Sequence, residues 1–456
     1  MGTFFEHRIP VTAPFYMSLD IRPKYEAAAE KVTRRMALLD KSLTLSGMRG
    51  EEFSAAVKHL FTALDSNGEP VLDSMSAESI AAAAALVGNS FAHIPDRMNW
   101  ANCDTLVDTA FVTTKEWETL RMLGLGGSDS ANIINEGYST ARSVYYDKVG
   151  WPGDEENHKP DKGLAYIFGY GHIVEPLVID EFCRRSGAER VPESRMFCHR
   201  EYPFLTANID QIVRMPDGSY CVFEAKTTTF FNKNHWLDGG IPRAYIPQCH
   251  KYPLILNDDR ISGTYIGCIF GNVPSDFACS FLPRDEEYEK KQLEREVAFW
   301  NDYVLAGIEP PLSGNGEKDM ATLKKARVPQ DKNAPKLDLD PDVYAEKLSA
   351  YLRLKKKADE YSGRADTLKQ GMEALRAELV SALGANPMAR CIVPEEDAPD
   401  DEGEYEFIVT NKPKKRTVVD QELLRLSYPD VYAACVTVIP ESSFMFNVKM
   451  KEVANQ

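Results

Sequence analysis

The stretch that most restricts the fold is "LTANIDQIVRMPDGSYCVFEAKTTT", residues 205–229. Two extended runs rich in β-branched and aromatic residues flank "MPDGS", with Pro216 and Gly218 at turn positions, and this pattern predicts a β-hairpin. Its register decides what it can do. If Pro216, Asp217 and Gly218 form a three-residue loop with Gly218 left-handed, Asp210 lies opposite Glu224, their Cβ atoms roughly 5 Å apart on one face. Lys226, two residues on, projects from that same face. A two-residue Asp-Gly turn would shift the pairing by one and send Asp210 to the other face.

Two carboxylates held so close raise each other's pKa unless a cation sits between them. Hard divalent ions such as Mg²⁺ favour oxygen ligands of this kind and keep waters and phosphate oxygens in their remaining positions. The arrangement therefore suits phosphodiester hydrolysis, with Asp210 and Glu224 holding the metal and Lys226 orienting a water or neutralising developing charge. Spacing alone leaves a competing reading open: an acid-x-Lys on a strand also serves as a cross-strand ion pair on a solvated face.

The rest of the chain bounds that chemistry. At 456 residues it holds an α/β core and two or three domains, and no run approaches the ~18 apolar residues of a membrane span. Together with the lack of a basic-then-apolar leader, this reads as a cytoplasmic protein with no membrane partner. A formal charge of -16 opposes unspecific binding to a polyanion, so a nucleic-acid site must be a local basic surface or one bridged by metal ions. Nine scattered cysteines, none in C-x-x-C spacing, argue against a disulfide framework and a zinc or iron-sulfur cage, and most are expected to be small buried hydrophobes.

Residues 1–105 read as a helical N-terminal region in which no chemistry stands out; Asp65, Asn67 and Gly68 mark a turn. Residues 106–310 mix helices with short strands and carry every motif discussed here. Residues 311–340 are polar and rich in Pro and Gly, as in a linker. Across 341–384, Leu348, Tyr351, Ala358, Tyr361, Ala365, Leu368, Met372, Leu375 and Leu379 recur at helical spacing, giving one long amphipathic helix or, with Gly363 and Gly371 as breakers, a helical hairpin. Residues 385–456 form a small α+β extension, with an acidic run at 395–406, basic "KPKKR" and strand-like "FIVT" and "FMFNVKM".

Between about 115 and 270 the sequence resembles the YqaJ-type viral recombinases, the phage lambda exonuclease-like branch of the PD-(D/E)XK nucleases. Five ordered blocks carry the resemblance: "EWETLRMLGLGGSDSANII", "FGYGHIVEPLVIDEF", "LTANIDQIV", "VFEAKTT" and "GGIPRAYIPQCHKYPLIL". The first implies that Arg121 and Ser128 bind the 5′-phosphate of a DNA end. Gly126 and Gly127 would let backbone approach it, the start of the following helix would attract it, and Asp129 would have to point away. The second implies that Glu175 joins the acidic cluster; His172, one turn earlier, reads as a residue that packs the helix or supports the cluster from behind rather than as a metal ligand. The third and fourth carry Asp210, Glu224 and Lys226 over to metal binding and catalysis. Ile209 stands where the family commonly has Pro, which touches the backbone bend more than the chemistry. Glu201 is a weak candidate for a further acid. The fifth implies a site role for Gln248, with Tyr245 and Tyr252 on neighbouring turns.

The resemblance implies an α/β fold with a restriction-endonuclease-like core, a central mixed β-sheet flanked by helices. It implies one or two Mg²⁺ ions (or Mn²⁺), about 3.5–4 Å apart if two are used. The activity implied is a 5′-to-3′ exonuclease on double-stranded DNA, whose 3′-tailed product passes to a single-strand annealing protein. Relatives form rings around DNA, so a homo-oligomer such as a trimer is expected, with the heptad-like helix as one candidate interface. The alternatives are an endonuclease of the same fold, acting internally or on branched DNA, and a non-catalytic recombination scaffold.

Overall fold

The computed structural model describes residues 4–88, 94–153, 162–271, 274–326, 335–393, 405–410 and 421–435. The chain divides into two compact units, residues 1–329 and 330–456.

The first unit opens with helices α1 (Arg22–Ser46), α2 (Gly50–Thr62) and α3 (Ala77–Gly88). On α1, Tyr25, Ala29, Val32, Met36 and Leu39 recur every three or four residues, so all five fall on one stripe and are buried. They share a core with Phe53 and Val57 of α2 and Ile80 and Ala84 of α3. The helical N-terminus is as the sequence predicts, yet it is not a separate body. The same core includes Leu106 and Val107 of β1 (Cys103–Asp108), Phe111, and Leu120 of α4 (Thr114–Leu120). At 65–69 the chain turns, with Asp65 Oδ1 accepting the Asn67 and Glu69 N–H groups.

Next come α5 (Gly127–Ile133), α6 (Ala141–Val149) and α7 (Lys162–Ser186). The strands β2 (Glu189–Val191), β3 (Arg195–His199), β4 (Thr206–Ala207), β5 (Gln211–Arg214) and β6 (Tyr220–Thr227) follow. The unit closes with α8 (Ile246–Leu256), β7 (Ile261–Ile269), β8 (Phe277–Pro283), α9 (Glu286–Phe299) and α10 (Gly316–Lys325). The central sheet has the order β2-β5-β6-β7-β8. It is mixed: β6 and β7 run parallel and the other neighbours antiparallel. A smaller antiparallel sheet, β1-β3-β4, stands beside it.

Alternation along β6 assigns its faces. Cys221 and Phe223 pack on Val178, Ile179 and Phe182 of α7, whereas Val222 packs with Tyr252, Ile255 and Leu256 of α8. The sheet is thus covered by a helix on each side, the expected α/β class with a mixed central sheet flanked by helices. The stretch 311–340, expected as a linker, contains α10. Its Thr322 hydroxyl lies 3.0 Å from that of Thr140, and its Asp319 is buried accepting the Ser313 and Gly314 amides, so a polar composition here serves helix capping and docking. Cys103, Cys198, Cys221, Cys249 and Cys268 are buried free thiols, as expected of small hydrophobes.

The second unit holds α11 (Pro341–Leu383), the hairpin β9 (Met388–Val393) and β10 (Tyr405–Thr410), and the short α12 (Gln421–Ser427) and α13 (Pro429–Cys435). Of the two possibilities for 341–384, the single helix is observed. Asp340 caps it and Pro341 occupies its first turn. Gly363 and Gly371 lie within it without a break, at a propensity cost of about 1 kcal/mol each. Met372, Leu375 and Leu379 share a cleft with Val409 of β10. Most of the acidic run (395–404), "KPKKR" and "FMFNVKM" lie outside the described residues.

Candidate active site

The hairpin has the longer of the two possible turns. Gln211 pairs with Phe223, Ile212 with Val222, Val213 with Cys221 and Arg214 with Tyr220, and Gly218 takes a left-handed φ of 89°. Asp210 therefore falls opposite Glu224, one step beyond the last paired residues. There the β5 ladder ends, while β6 and β7 stay paired as far as Thr227 and Ile269. The last four residues of β6 have a strand on one side only, and on the open side Asp210 Oδ2 accepts the Ala225 N–H at 2.9 Å.

Glu224 is the deepest acid in the site, with 1% of its surface exposed. Its Oε1 accepts from Gln248 Nε2 at 2.7 Å and from the Lys226 ammonium, whereas its Oε2 is buried without a hydrogen-bond partner. A buried, unpartnered carboxylate oxygen costs the fold free energy, roughly 1–3 kcal/mol or more for a charged group. Gln248 Nε2 also donates to the Tyr252 hydroxyl at 2.6 Å, and the Lys226 ammonium lies 4.9 Å from the centre of the Tyr245 ring.

Glu175 comes from α7, half-buried, with His172 Nδ1 3.7 Å from its Oε2. Burial, then the charges of Glu224 and Glu175, push the Asp210 carboxyl well above the ordinary carboxylate range. The Glu175 carboxyl is also raised, by burial against the opposing charge of His172 and with the help of Glu224. The Lys226 pKa also moves up: burial disfavours its charge, but Glu224 and Asp210 outweigh burial and hold the ammonium firmly protonated. The three acids thus feel one another, yet among the described residues no group of three or more His, Cys, Asp or Glu side chains is disposed as a ready metal cage. Glu201 sits exposed in the turn after β3, its N–H donated to His199 Nδ1.

Arg121 and Ser128 meet directly, Arg121 Nη2 donating to Ser128 Oγ at 3.2 Å, with the guanidinium 4.9 Å from the centre of the Trp117 ring. Asp129 is neutralised by its neighbours, the charges of Lys148 and Arg121 outweighing burial. It is buried, accepting Lys148 Nζ at 2.8 Å and the Gly126 N–H at 2.9 Å. That cap changes one expectation. The Gly126 amide at the start of α5 is already taken and α5 is only seven residues long, so an anion arriving here would meet the Arg121 and Ser128 side chains rather than the helix start.

The glycines do bring backbones together. A Cβ at Gly124 would lie 2.1 Å from the Phe204 carbonyl, and one at Gly127 would lie 3.0 Å from Gln248 Cγ and 3.1 Å from the Tyr252 hydroxyl. The Arg121–Ser128 loop is therefore pressed against the helix that carries Gln248.

Sequence reasoning missed one supporting pair. Lys251 is fully buried on α8, its ammonium bound to Glu296 of α9 at 2.6 Å and to the Gly126 carbonyl at 3.2 Å. It fastens the Gly126 loop to the helix that presents Gln248. Its neighbours in sequence, Cys249 and Tyr252, hint at burial, but nothing local points to Glu296, which is forty-five residues away.

All seven expected site residues fall inside one family match. Residues 116–255 match the YqaJ-like viral recombinase domain. The chain is also similar to Uncharacterized protein YqaJ of Bacillus subtilis (strain 168), 28% identical over 336 residues that cover 74% of this chain and 94% of that protein. Among solved structures, an alkaline exonuclease (LHK-Exo) from Laribacter hongkongensis matches at 16% identity and a TM-score of 0.34, over 43% of this chain and 95% of that one. LHK-Exo in complex with dAMP matches at 17% identity and a TM-score of 0.35, with the same coverage. The YqaJ-like match spans the Arg121–Ser128 loop, α7, the hairpin and α8, the elements that build the site.

Proposed function

We propose that the chain is a metal-dependent deoxyribonuclease that degrades one strand of double-stranded DNA from its 5′ end and leaves 3′ single-stranded tails. The observation that carries this reading is the unpartnered, buried Oε2 of Glu224 beside Asp210 and Lys226, inside the YqaJ-like match. An oxygen without a partner, next to carboxyls whose pKa values are raised by burial and then by the charge of Glu224, fits a hard divalent cation. Glu175, Asp210 and Glu224 would hold one or two Mg²⁺ ions, with Mn²⁺ as the substitute. Bound there, the metal would supply Lewis-acid polarisation of the phosphate and a water of lowered pKa.

The chain's own groups do the rest. Lys226 keeps its proton and places positive charge where negative charge develops on the phosphate. Gln248, neutral and already donating to Glu224, fixes that carboxylate's rotamer and can turn its amide toward a phosphate oxygen. Arg121 and Ser128 receive the terminal 5′-phosphate, a contact that reads an end and no sequence. The 3′-tailed product suits a single-strand annealing protein as the next partner, and a homo-oligomer, such as a trimer around DNA, is the assembly we propose.

The test is digestion of linear duplexes labelled at the 5′ or the 3′ end, with and without a 5′-phosphate, in Mg²⁺ and in chelator, beside a closed circle. Release from 5′-phosphorylated ends only in Mg²⁺ is expected. Persistent nicking of circles would turn the reading toward an endonuclease, and no cleavage of any substrate would end it.

A further inference from the structure

The second unit carries an apolar stripe that the described residues leave open. With the helix α11 written in heptads abcdefg and Tyr344 at a, eleven of the twelve a and d positions between 344 and 382 are apolar, Lys347 being the exception. Leu354, Tyr361, Leu368, Met372 and Leu375 on this stripe are 62% to 70% exposed, and Leu383 is the one buried residue of the helix. Val409 of β10 joins Met372, Leu375 and Leu379 in a cleft at the C-terminal end of the stripe. A repeat of three and four residues sustained this far is the seam of a coiled coil, narrower than the face a helix turns to a globular core. It calls for a second helix.

Charge says which helix. In a chain of formal charge -16, the e and g positions that flank the seam carry five cations, Lys355, Lys357, Arg364, Lys369 and Arg376, against one acid, Glu378. The other acids stand one row further out, Asp359, Asp366 and Glu373 at b and Glu346 and Glu360 at c. Lys369 and Arg376 reach back to Asp366 and Glu373 at 3.5 and 3.1 Å, exposed pairs that are worth little and easily exchanged. A second copy of the chain, the occupant expected of this helix from sequence, meets like charge in either direction. In a parallel pair Arg364 at g falls opposite Lys369 at e of the copy. In an antiparallel pair the e rows face each other, with Lys355, Lys369 and Arg376 and no acid. A phosphate backbone would use the cations but not the apolar stripe that runs between them. An acidic helix answers both.

We infer that α11 is one strand of a coiled coil whose other strand is an acidic amphipathic helix of a partner protein, apolar at a and d and bearing Glu or Asp at e and g. The seam supplies the affinity, and the cationic rows choose the partner and weaken self-pairing. The inference uses no residue of the acidic cluster and stands apart from the nuclease reading.

The test titrates the full chain into labelled synthetic peptides of about five heptads and follows fluorescence anisotropy. One peptide has Ile at a, Leu at d and Glu at e and g; a second has Lys at e and g; a third has the composition of the first in scrambled order. The acidic heptad peptide should bind at least about tenfold more tightly than the basic one, the sum of several exposed charge pairs of ordinary size. Leu368→Asp, at an exposed position that disturbs no core, should weaken that binding on the order of a hundredfold. Arg364→Glu combined with Lys369→Glu leaves the flanking rows evenly charged and should erase the preference between the two heptad peptides. Equal binding of these two by the wild type, or binding of neither, would overturn the inference. So would scrambled peptide that binds as tightly as the acidic heptad one, since charge alone would then be read, as by a phosphate backbone. Self-association of the wild-type chain in sedimentation that Leu368→Asp abolishes would also overturn it, by making a second copy the occupant.

Discussion

Two buried charge clusters in this molecule use the same residue types to opposite ends. In the first, Arg35 of α1, with a fully buried side chain, donates Nε and Nη2 to Asp73 at 2.6 Å each, Nη1 and Nη2 to Glu116 at 2.7 and 2.9 Å, and Nη1 to the Phe111 carbonyl. Glu116 Oε2 also accepts the Thr113 N–H that caps α4. With Lys31 Nζ 3.9 Å from Asp73 and 3.7 Å from Glu116 as the second cation, the two carboxylates are matched, and although burial pushes the Glu116 carboxyl up, Arg35 more than offsets it and leaves it below the ordinary range. In the second, Glu175, Asp210 and Glu224 gather around Lys226, with His172 beside Glu175 alone; one Glu224 oxygen has no partner, and Asp210 and Glu175 shift upward. The first cluster is complete and holds α1 to α4. The second is short of positive charge, the condition in which a protein gains by taking up a cation.

The sharpest way to break this contrast is to remove the central cation of the complete cluster. Arg35→Met should cost about 3–5 kcal/mol of stability, because Asp73 and the buried Glu116 lose their hydrogen-bonded partner and keep only the more distant Lys31, read as a large loss in thermal or urea melting. A loss within that of an average surface substitution would mean the cluster holds nothing.

In the incomplete cluster, Glu224→Gln should leave folding intact and lower the turnover number on 5′-phosphorylated duplex by on the order of 10²–10³-fold or more, measured in single-turnover cleavage with end binding as the control. Arg121→Ala should raise KM for 5′-phosphorylated ends roughly ten- to a hundredfold, the scale of one lost charged hydrogen bond, and should leave the turnover number nearly unchanged. An equal effect on ends without phosphate would remove Arg121 from end recognition.

The smallest effect has the most telling sign. A carboxyl whose folded pKa is raised penalises the fold at pH values above it, and the penalty fades as pH falls through that pKa. Asp210→Asn should therefore stabilise the chain in chelator near pH 7, by roughly 0.5–2 kcal/mol, whereas a matched carboxylate such as Glu116 loses stability when neutralised. By the same sign, cleavage by the wild type should weaken on acidification from a pH above the ordinary carboxylate value of about 4, as protons compete for Asp210 and Glu175. A pH profile flat down to that value would contradict the raised pKa.

Much of the second cluster was legible from sequence because its logic is local. The pairing of Asp210 with Glu224 follows from Pro216 and a left-handed Gly218, and Lys226 follows from strand alternation. Arg121 and Ser128, singled out by the first family block seven residues apart, meet across the loop. What stayed hidden depends on distant partners. Arg35 finds Glu116 eighty-one residues away, and Lys251 finds Glu296 forty-five away, and no periodicity announces either. For the same reason the first hundred residues read as a region apart, although their core runs into β1 and α4. Polar composition misled at 311–340, where α10 uses Asn315 as its cap and buries Asp319.

The central claim is that the Glu175, Asp210 and Glu224 cluster completes itself with a divalent cation. Titration of the full chain with Mn²⁺, following free metal by electron paramagnetic resonance at pH 8 without DNA, tests it most directly. The account predicts saturable uptake of one or two ions per chain, lost on Glu224→Gln and competed by Mg²⁺. Uptake that is absent, or that survives substitution of all three acids, would contradict it.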